Sequence, residues 1–341
     1  MDSEDKRVLS LLQTEFPVVA RPFDALAERL GTEPAALVAR VRRLAEAGVI
    51  RRIGPIFDSR RLGYTSTLVA SRVPAERLAE VAERVSRLPG VTHNYERSGA
   101  YNLWFTLTAP SEKEIAETLD ALGEETGIVF HSLPALAVYK IRAVFGADDA
   151  TSGGPLRGRC GLSAVASAKA GDPPRRESQP AELDAGQKRL VRAFQDGVVI
   201  EAEPFASVAE RVGRPVEEVL AQIRVWTATG LVRRFGAVLA HRRVGYRANG
   251  MAVFGVPRDR ADAAGRMLAE RPEITHCYRR PPLPDFPYNL YAMAHGRSEE
   301  AIRVLVDRLA QKIGAADYAL LFSMTEFKKS PMRYFESEDR P

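Results

Sequence analysis

The sequence has 341 residues, 45% of them hydrophobic and 27% charged, with a formal net charge of +5; that length suits two or three domains with real cores and a globular composition. No apolar run approaches the about 18 residues a membrane helix needs, and the charged start MDSEDKRVLS has no apolar signal core, so a cytoplasmic protein with no membrane partner is expected. Two cysteines, Cys160 and Cys277, exclude a disulfide framework and a cysteine-rich metal site.

In chain order, residues 5–14, 23–30 and 33–47 carry helical periodicity, with Asp24 and Thr32 as first-turn or capping residues and Gly31 and Gly48 as stops. The strand-like VIRRIGPIF follows, which makes a winged helix-turn-helix of residues 1–62. From Tyr64 the pattern changes. TSTLVASRV reads as a strand, PAERLAEVAERVSRL as an amphipathic helix, VTHNYER and YNLWFTLTA as strands, 111–126 as a helix and 133–144 as a last strand. That order, β-α-β-β-α-β over residues 63–146, is ferredoxin-like. Residues 147–182 hold no aromatic and few large aliphatics, which predicts a flexible linker joining two halves that pair with each other.

The second half repeats the first. PFDALAERLG at 22–31 returns as PFASVAERVG at 204–213, and GVIRRIG at 48–54 as GLVRRFG at 230–236. Thr92-His93-Asn94-Tyr95 matches Thr275-His276-Cys277-Tyr278, and Tyr101-Asn102-Leu103 matches Tyr288-Asn289-Leu290, the register slipping most at the insertion PPLPDFP, 281–287. The chain is a tandem duplication, with a second winged helix-turn-helix over 183–244 and a second ferredoxin-like domain over 245–336. Its ferredoxin-like elements are expected at 247–256, 258–271, 274–280, 288–295, 298–314 and 317–328. The fold class is α+β.

The helix-turn-helix units look poor at reading DNA. A recognition helix offers polar and basic groups at its N-terminal end. Here that end carries Ala35, Ala36, Leu37 and Val38 in the first unit. In the second it carries Glu217 and Glu218, which repel phosphates. No specific DNA partner is expected.

There are five histidines, none at metal-ligand spacing. His93 and His276 sit at equivalent strand positions, each two residues before a tyrosine, Tyr95 or Tyr278. Alternation puts His and Tyr on one face and Thr on the other. Facing a cleft, such a pair suits iron ligation or proton donation; facing the helices it belongs to the core, and the strand pattern leaves both open. His241 aligns with Ser59 and reads from position alone as an exposed loop residue; His131 and His295 read as structural. The doublets Arg51-Arg52 and Arg233-Arg234 open the wing strands, and with Arg97, Arg247, Arg279 and Arg280 they are candidate clamps for carboxylates, about half of them expected to touch ligand. Gly54, Gly63, Gly236 and Gly245 read as turn and wing residues, Trp104 and Tyr291 as core, and Cys277 as structural on the face opposite His276. No G-x-G-x-x-G or P-loop follows a strand, so no nucleotide cofactor is expected.

A winged helix joined to a ferredoxin-like domain resembles the Lrp/AsnC family of transcription regulators. Within that superfamily the stretches GVIRRIGPIFDSRRLGY, GVTHNYERSGAYNLWFTL, VRRFGAVLAHRRVGYRANGM, THCYRRPPLPDFPYNLYAM and EFKKSPMRYF resemble siroheme decarboxylases in their fused two-unit form. The resemblance implies a lyase that removes two acetate carboxyls from siroheme, giving 12,18-didecarboxysiroheme and carbon dioxide. The product would serve heme d1 or an alternative heme route. A regulator that senses heme or another small effector is the alternative reading. The resemblance further implies catalytic roles for His241 and His276, proton transfer and iron contact, without dividing them. Substrate binding would fall to Arg51, Arg52, His93, Tyr95, Arg97, Arg233, Arg234, Tyr246, Arg247, Tyr278 and Arg279. No cofactor or metal of the protein's own is implied, since the iron travels with the siroheme. Whether the fused chains dimerise further stays open.

Overall fold

The computed structural model describes residues 1–141, 180–239 and 248–336. Most of the expected linker, together with His241, Tyr246 and Arg247, lies outside the described residues. The first helix-turn-helix comprises α1 (Ser3–Thr14), α2 (Pro22–Leu30) and α3 (Pro34–Glu46), followed by β1 (Ile50–Phe57). Asp2 and Asp5 close a reciprocal capping box on α1, Asp5 N–H donating to Asp2 Oδ1 at 2.6 Å. Asp24 stands in the first turn of α2, but α3 starts after Glu33 with no side-chain cap, so Thr32 does not fill the role expected of it. The second unit repeats the module as α6 (Ala185–Ala193), α7 (Ala206–Val212), α8 (Val216–Ala228) and β7 (Val232–Leu239).

Among the described residues neither wing pairs within its own unit. β1 and β7 pair with each other, antiparallel, with Gly54 opposite Gly236. The two helix-turn-helix modules thereby share one core, from Leu9 and Phe23 to Phe194, Phe205 and Trp226. Gly236 is required by the close approach of α1, because a Cβ there would stand 2.5 Å from Leu12 O.

The ferredoxin-like parts are β2 (Thr65–Ser71), α4 (Leu78–Arg87), β3 (Val91–Arg97), β4 (Leu103–Ala109), α5 (Glu112–Thr126) and β5 (Phe130–Pro134), then β8 (Ala248–Gly255), α9 (Ala261–Ala269), β9 (Ile274–Arg279), β10 (Leu290–Gly296), α10 (Glu299–Ile313) and β11 (Asp317–Lys329). The last strand of the first half differs from expectation. It breaks after Pro134, and its continuation β6 (Ala137–Ile141) leaves β2 to pair with β9 of the other half. In return β11 pairs first with β8 and then, past a bulge, with β3 of the first half. The nine strands run β5-β2-β4-β3-β11-β8-β10-β9-β6. Since β5 and β6 are consecutive in the chain, the sheet curls and its two halves face each other.

Each half buries its helices on its outer face, around Phe105 and Leu119 in one and Phe254 and Leu309 in the other. The inner faces meet around Trp104, Tyr291, Val253 and Leu133. The insertion 281–287 seals one end of this space. Phe286 stands 5.3 Å from the Tyr101 ring, 5.7 Å from Trp104 and 4.6 Å from Tyr288. Among the described residues no helix is long and apolar enough to cross a membrane.

Three exchanged ladders (β1–β7, β6–β9 and β11–β3) join the halves. Residues 1–146 and 180–341 expressed as two separate chains are therefore expected to copurify as one particle. Two monomeric, folded pieces on size exclusion would show that the exchanged strands are not needed.

Candidate functional site

The site grows from the repeated strand motif. Tyr95 lies directly opposite Trp104, and Tyr278 directly opposite Tyr291. Cross-strand partners share a face, and both Trp104 and Tyr291 belong to the core between the sheets. His93, Tyr95, His276 and Tyr278 thus face the intersheet cleft. Asn94 and Cys277 point the other way, to α4 and α9: Asn94 donates to Ala82 O at 2.9 Å, and Cys277 Sγ lies 3.6 Å from Gly265 O. β3 and β9 are separated in the sheet by three strands, yet His93 acts electrostatically on His276. Only the face-to-face packing brings the two imidazoles together.

One expectation needs correcting. Both strands carry a bulge at this motif, between Val91 and His93 and beside His276. A bulge breaks strict alternation, so the preceding threonine lies beside the histidine rather than behind it. Thr92 Oγ1 is 3.0 Å from His93 Nδ1, and Thr275 Oγ1 is 3.0 Å from His276 Nδ1. Each imidazole also stacks on its tyrosine, ring centres 6.3 Å apart. With Nδ1 engaged, Nε2 is the nitrogen left for a ligand in the cleft. Burial pushes both histidines down to about 4; Lys329 and Arg51 lower His93 further against the opposing pull of Glu326, and competition with the His295 and His93 imidazoles and with Lys140 lowers His276. At neutral pH both are uncharged.

The arginines divide by what already occupies their guanidinium groups. Arg52 donates to Pro55 O at 3.2 and 3.3 Å, and Arg234 to Gln13 O at 2.6 Å. Arg97 donates to Leu321 O and Ser323 Oγ, and Arg280 to Leu133 O, each tying a strand of one half to the other. Burial lowers Arg97 to about 10. Arg279 faces α9, where it pairs with Asp262 at 3.1 Å, away from the cleft. Arg51 and Arg233 are the exposed members of the doublets. Arg51 acts on His93, and Arg233 and Arg60 act on Tyr278. Arg233 is held by Asp58 at 3.0 Å. The structure therefore brings Arg51, Arg233, His93, Tyr95, His276 and Tyr278 to the cleft and its rim. It commits Arg52, Arg97 and Arg234 to backbone carbonyls. His131 packs on Tyr101 at the sealed end.

Sequence reasoning missed four residues here: Arg60, Lys329, His295 and Tyr334. His295 on β10 lies 2.9 Å through Nε2 from Thr275 Oγ1. Tyr334 belongs to the C-terminal segment, which folds back onto the first helix-turn-helix. Its hydroxyl is 2.6 Å from Ser59 Oγ, and Phe335 N–H donates to Tyr64 Oη at 2.8 Å. Gln195 grips the Tyr334 backbone on both sides, at 2.8 and 3.1 Å. Ser59 and Tyr64 are the repeat counterparts of His241 and Tyr246. The first-half version of that motif is thus filled by the chain's own tail, with Tyr334 and Phe335 6% and 8% exposed. The only sequence signal was the quoted ending EFKKSPMRYF, which has no first-half counterpart.

Residues 5–51 and 187–233 match the siroheme decarboxylase NirDL-like HTH domain, and residues 61–140 and 243–328 the AsnC-like ligand binding domain. The chain is 35% identical to the siroheme decarboxylase of Hydrogenobacter thermophilus, over 99% of this chain and 97% of that one. It is 46% identical over 148 residues to the siroheme decarboxylase alpha subunit of Nitratidesulfovibrio vulgaris, covering 43% of this chain and 84% of that subunit. The crystal structure of the siroheme decarboxylase NirDL in co-complex with an iron-uroporphyrin III analogue superposes with a TM-score of 0.74 at 32% identity, over 98% of this chain and 96% of that one.

The neutral histidines make stability depend on pH. An unfolded histidine titrates near about 6.5, whereas these two are held at about 4. Between those values the unfolded chain binds more protons, so stability is full above about pH 6.5 and is lost as pH falls toward about 4. Urea unfolding at several pH values should show this slope, and His93→Asn with His276→Asn should flatten it. Equal slopes in the wild type and the double variant would mean that these imidazoles are not desolvated.

Proposed function

The chain belongs to the siroheme decarboxylase family, and we propose that it acts as a carboxy-lyase, releasing two acetate carboxyls of siroheme as carbon dioxide. What carries this reading is a pair of uncharged imidazoles facing one intersheet cleft with arginines at its rim. For each acetate, R–CH2–COO⁻ and one proton become R–CH3 and carbon dioxide. The C–C bond breaks, its electron pair passes into the protonated macrocycle, and the new C–H bond takes up the proton. Nothing is oxidised or reduced, so the reaction requires no organic cofactor and no metal beyond the iron in the substrate.

The chain's own groups supply three things. A dry cleft destabilises a carboxylate relative to neutral carbon dioxide, which favours its loss. Arg51, Arg233 and Arg60 hold the carboxylates that are kept, by charge-assisted hydrogen bonds. His276 delivers the proton from Nε2, the nitrogen its threonine leaves open. Burial, helped by the neighbouring imidazoles and Lys140, keeps this imidazole neutral; a bound polycarboxylate reverses that balance by placing negative charge beside it. Proton delivery falls to the second half in this proposal, on the hydroxyl of Thr275, which reaches His276 and His295 together. His241, Tyr246 and Arg247, which lie outside the described residues, stay candidates of this proposal on the family motif alone. The helix-turn-helix modules serve as scaffold: α8 opens with Glu217 and Glu218, and Leu37 in α3 is core.

Anaerobic incubation with siroheme, followed by mass spectrometry, should show successive loss of one and two carbon dioxide units with no added cofactor. Binding without any mass loss would refute the assignment. His276→Ala should slow single turnover by at least about 100-fold, the low end for loss of a general acid, and His93→Ala much less; the reverse ranking would move the site to the first half. Duplex DNA should bind weakly and release at physiological salt, and tight binding to one defined sequence would instead support a regulator.

A further inference from the structure

The two halves present the same His-x-Tyr motif to the cleft, but their imidazoles are not held alike. In the first half Thr92 contacts His93 Nδ1, and the β4 residue at the repeat position of His295 is Thr108. In the second half the equivalent hydroxyl bridges two imidazoles: His276 Nδ1 at 3.0 Å on one side and His295 Nε2 at 2.9 Å on the other. The bulge in β9 turns Thr275 toward both rings. His295 is fixed by its place in β10 opposite Asn249, and its N–H donates to Glu273 O at 3.0 Å. A threonine hydroxyl has a single hydrogen to give. When it donates to one of the two imidazoles, the other must donate to it. Met293 O, at 3.5 Å, is a longer competing acceptor for that hydrogen; with the hydrogen on the shorter contacts to the imidazoles, the proton positions on the two histidines are linked.

We infer that His295 is a positioning residue which, through the Thr275 hydroxyl, fixes the proton of His276 on Nε2. In this polarity His295 Nε2–H donates to Thr275 Oγ1, and Thr275 O–H donates to the lone pair on His276 Nδ1. In the resting, neutral site His276 then carries its hydrogen on the nitrogen facing the cleft; when bound substrate charges the ring, Nδ1 takes up the second proton and the Thr275 hydroxyl turns to accept from it. Without His295, Thr275 is free to accept from Nδ1–H, and His276 loses its single tautomer. His93 lacks this second imidazole, so the duplicated motif yields one oriented donor and one unoriented ring. The inference deepens the proposed role of His276 as proton donor and rests on that reading for its catalytic consequence, though not for the hydrogen-bond polarity itself.

The test has a structural arm and a kinetic arm. With only five histidines in the chain, ¹⁵N-histidine labelling resolves the ring nitrogens of each, and His276 is assigned by its loss in His276→Asn. Wild-type protein should show His276 protonated on Nε2 alone. Thr275→Val and His295→Phe should each give a mixture of tautomers, and Thr275→Ser should restore the single form. Protonation on Nδ1 in the wild type, or an unchanged pattern in Thr275→Val and His295→Phe, would overturn the inference whether or not siroheme is turned over. In the kinetic arm each of those two variants should lower kcat by about 10- to 100-fold, the range for outer-shell partners of a functional histidine, with KM little changed. The double variant should be no slower than either single one, because both cut the same chain. Losses that multiply in the double variant would show that Thr275 and His295 act separately.

Discussion

Each half of this molecule is an unfinished sheet, and the rest of the structure depends on how that is resolved. A β-sheet edge carries a row of unpaired donors and acceptors. The edges of β3 and β9 are closed by the last strand of the opposite half, through β11 and β6. That exchange forces the inner faces to stand opposite each other, and so creates both the Trp104–Tyr291 core and the cleft beside it. Arg97 and Arg280 reinforce it: Arg97 donates to a carbonyl of the arriving strand β11, and Arg280 to Leu133 O in β5, just before the chain crosses over as β6. A buried guanidinium is costly unless its donors are used. These two are therefore fasteners of the assembly, although their residue type and strand position resemble those of a ligand clamp.

The exchange also explains why the two histidines are desolvated and neutral. Phe286 and its neighbours close one end, and aromatic and aliphatic side chains fill the middle. An imidazole at the remaining end keeps hydrogen bonds through its threonine but loses water. Tyr139 shows how tightly the crossing strand is seated. It packs over α9 where a Cβ on Gly265 would stand 2.3 Å from its ring, and its hydroxyl donates to Asp262. Asp262 also holds Arg279, so that arginine is fastened to the outer face by the same crossing strand.

Much of this was legible in the sequence because it rests on local pattern. The duplication, the element order and the shared face of His93 and Tyr95 follow from repeat matching and strand alternation. The crossing of β6 was not legible, since residues 137–141 look the same whichever edge they join. The bulge at Thr92 and Thr275 was hidden for a similar reason: nothing in Thr-His-x-Tyr marks an extra residue in the ladder. Strand alternation splits each arginine doublet into an exposed member, Arg51 or Arg233, and a half-buried one, Arg52 or Arg234. Which member would be consumed by a carbonyl depended on tertiary neighbours, such as Gln13 for Arg234. His295 read as structural because a lone strand histidine has no spacing signature; its meaning comes from a partner twenty residues away.

Duplication gives two equivalent places for chemistry, and this chain has made them unequal by three independent routes. Ser59 stands where the second half has His241, so the first half lacks one imidazole. The tail segment around Tyr334 occupies the space beside Ser59 and Tyr64, held by backbone and side-chain hydrogen bonds and an aromatic contact of 5.1 Å between Tyr64 and Tyr334. Thr108 replaces His295, so His93 lacks the second imidazole that His276 has. None of these changes touches the exchanged strands, and Tyr334 and Phe335 add to the core shared by the helix-turn-helix modules. The first half supplies one wall of the cleft and the edge that β11 completes, and in the proposed reading the proton is delivered from the second half. A fused chain makes such division stable: the two halves are always present in equal number, and each can lose what the other keeps.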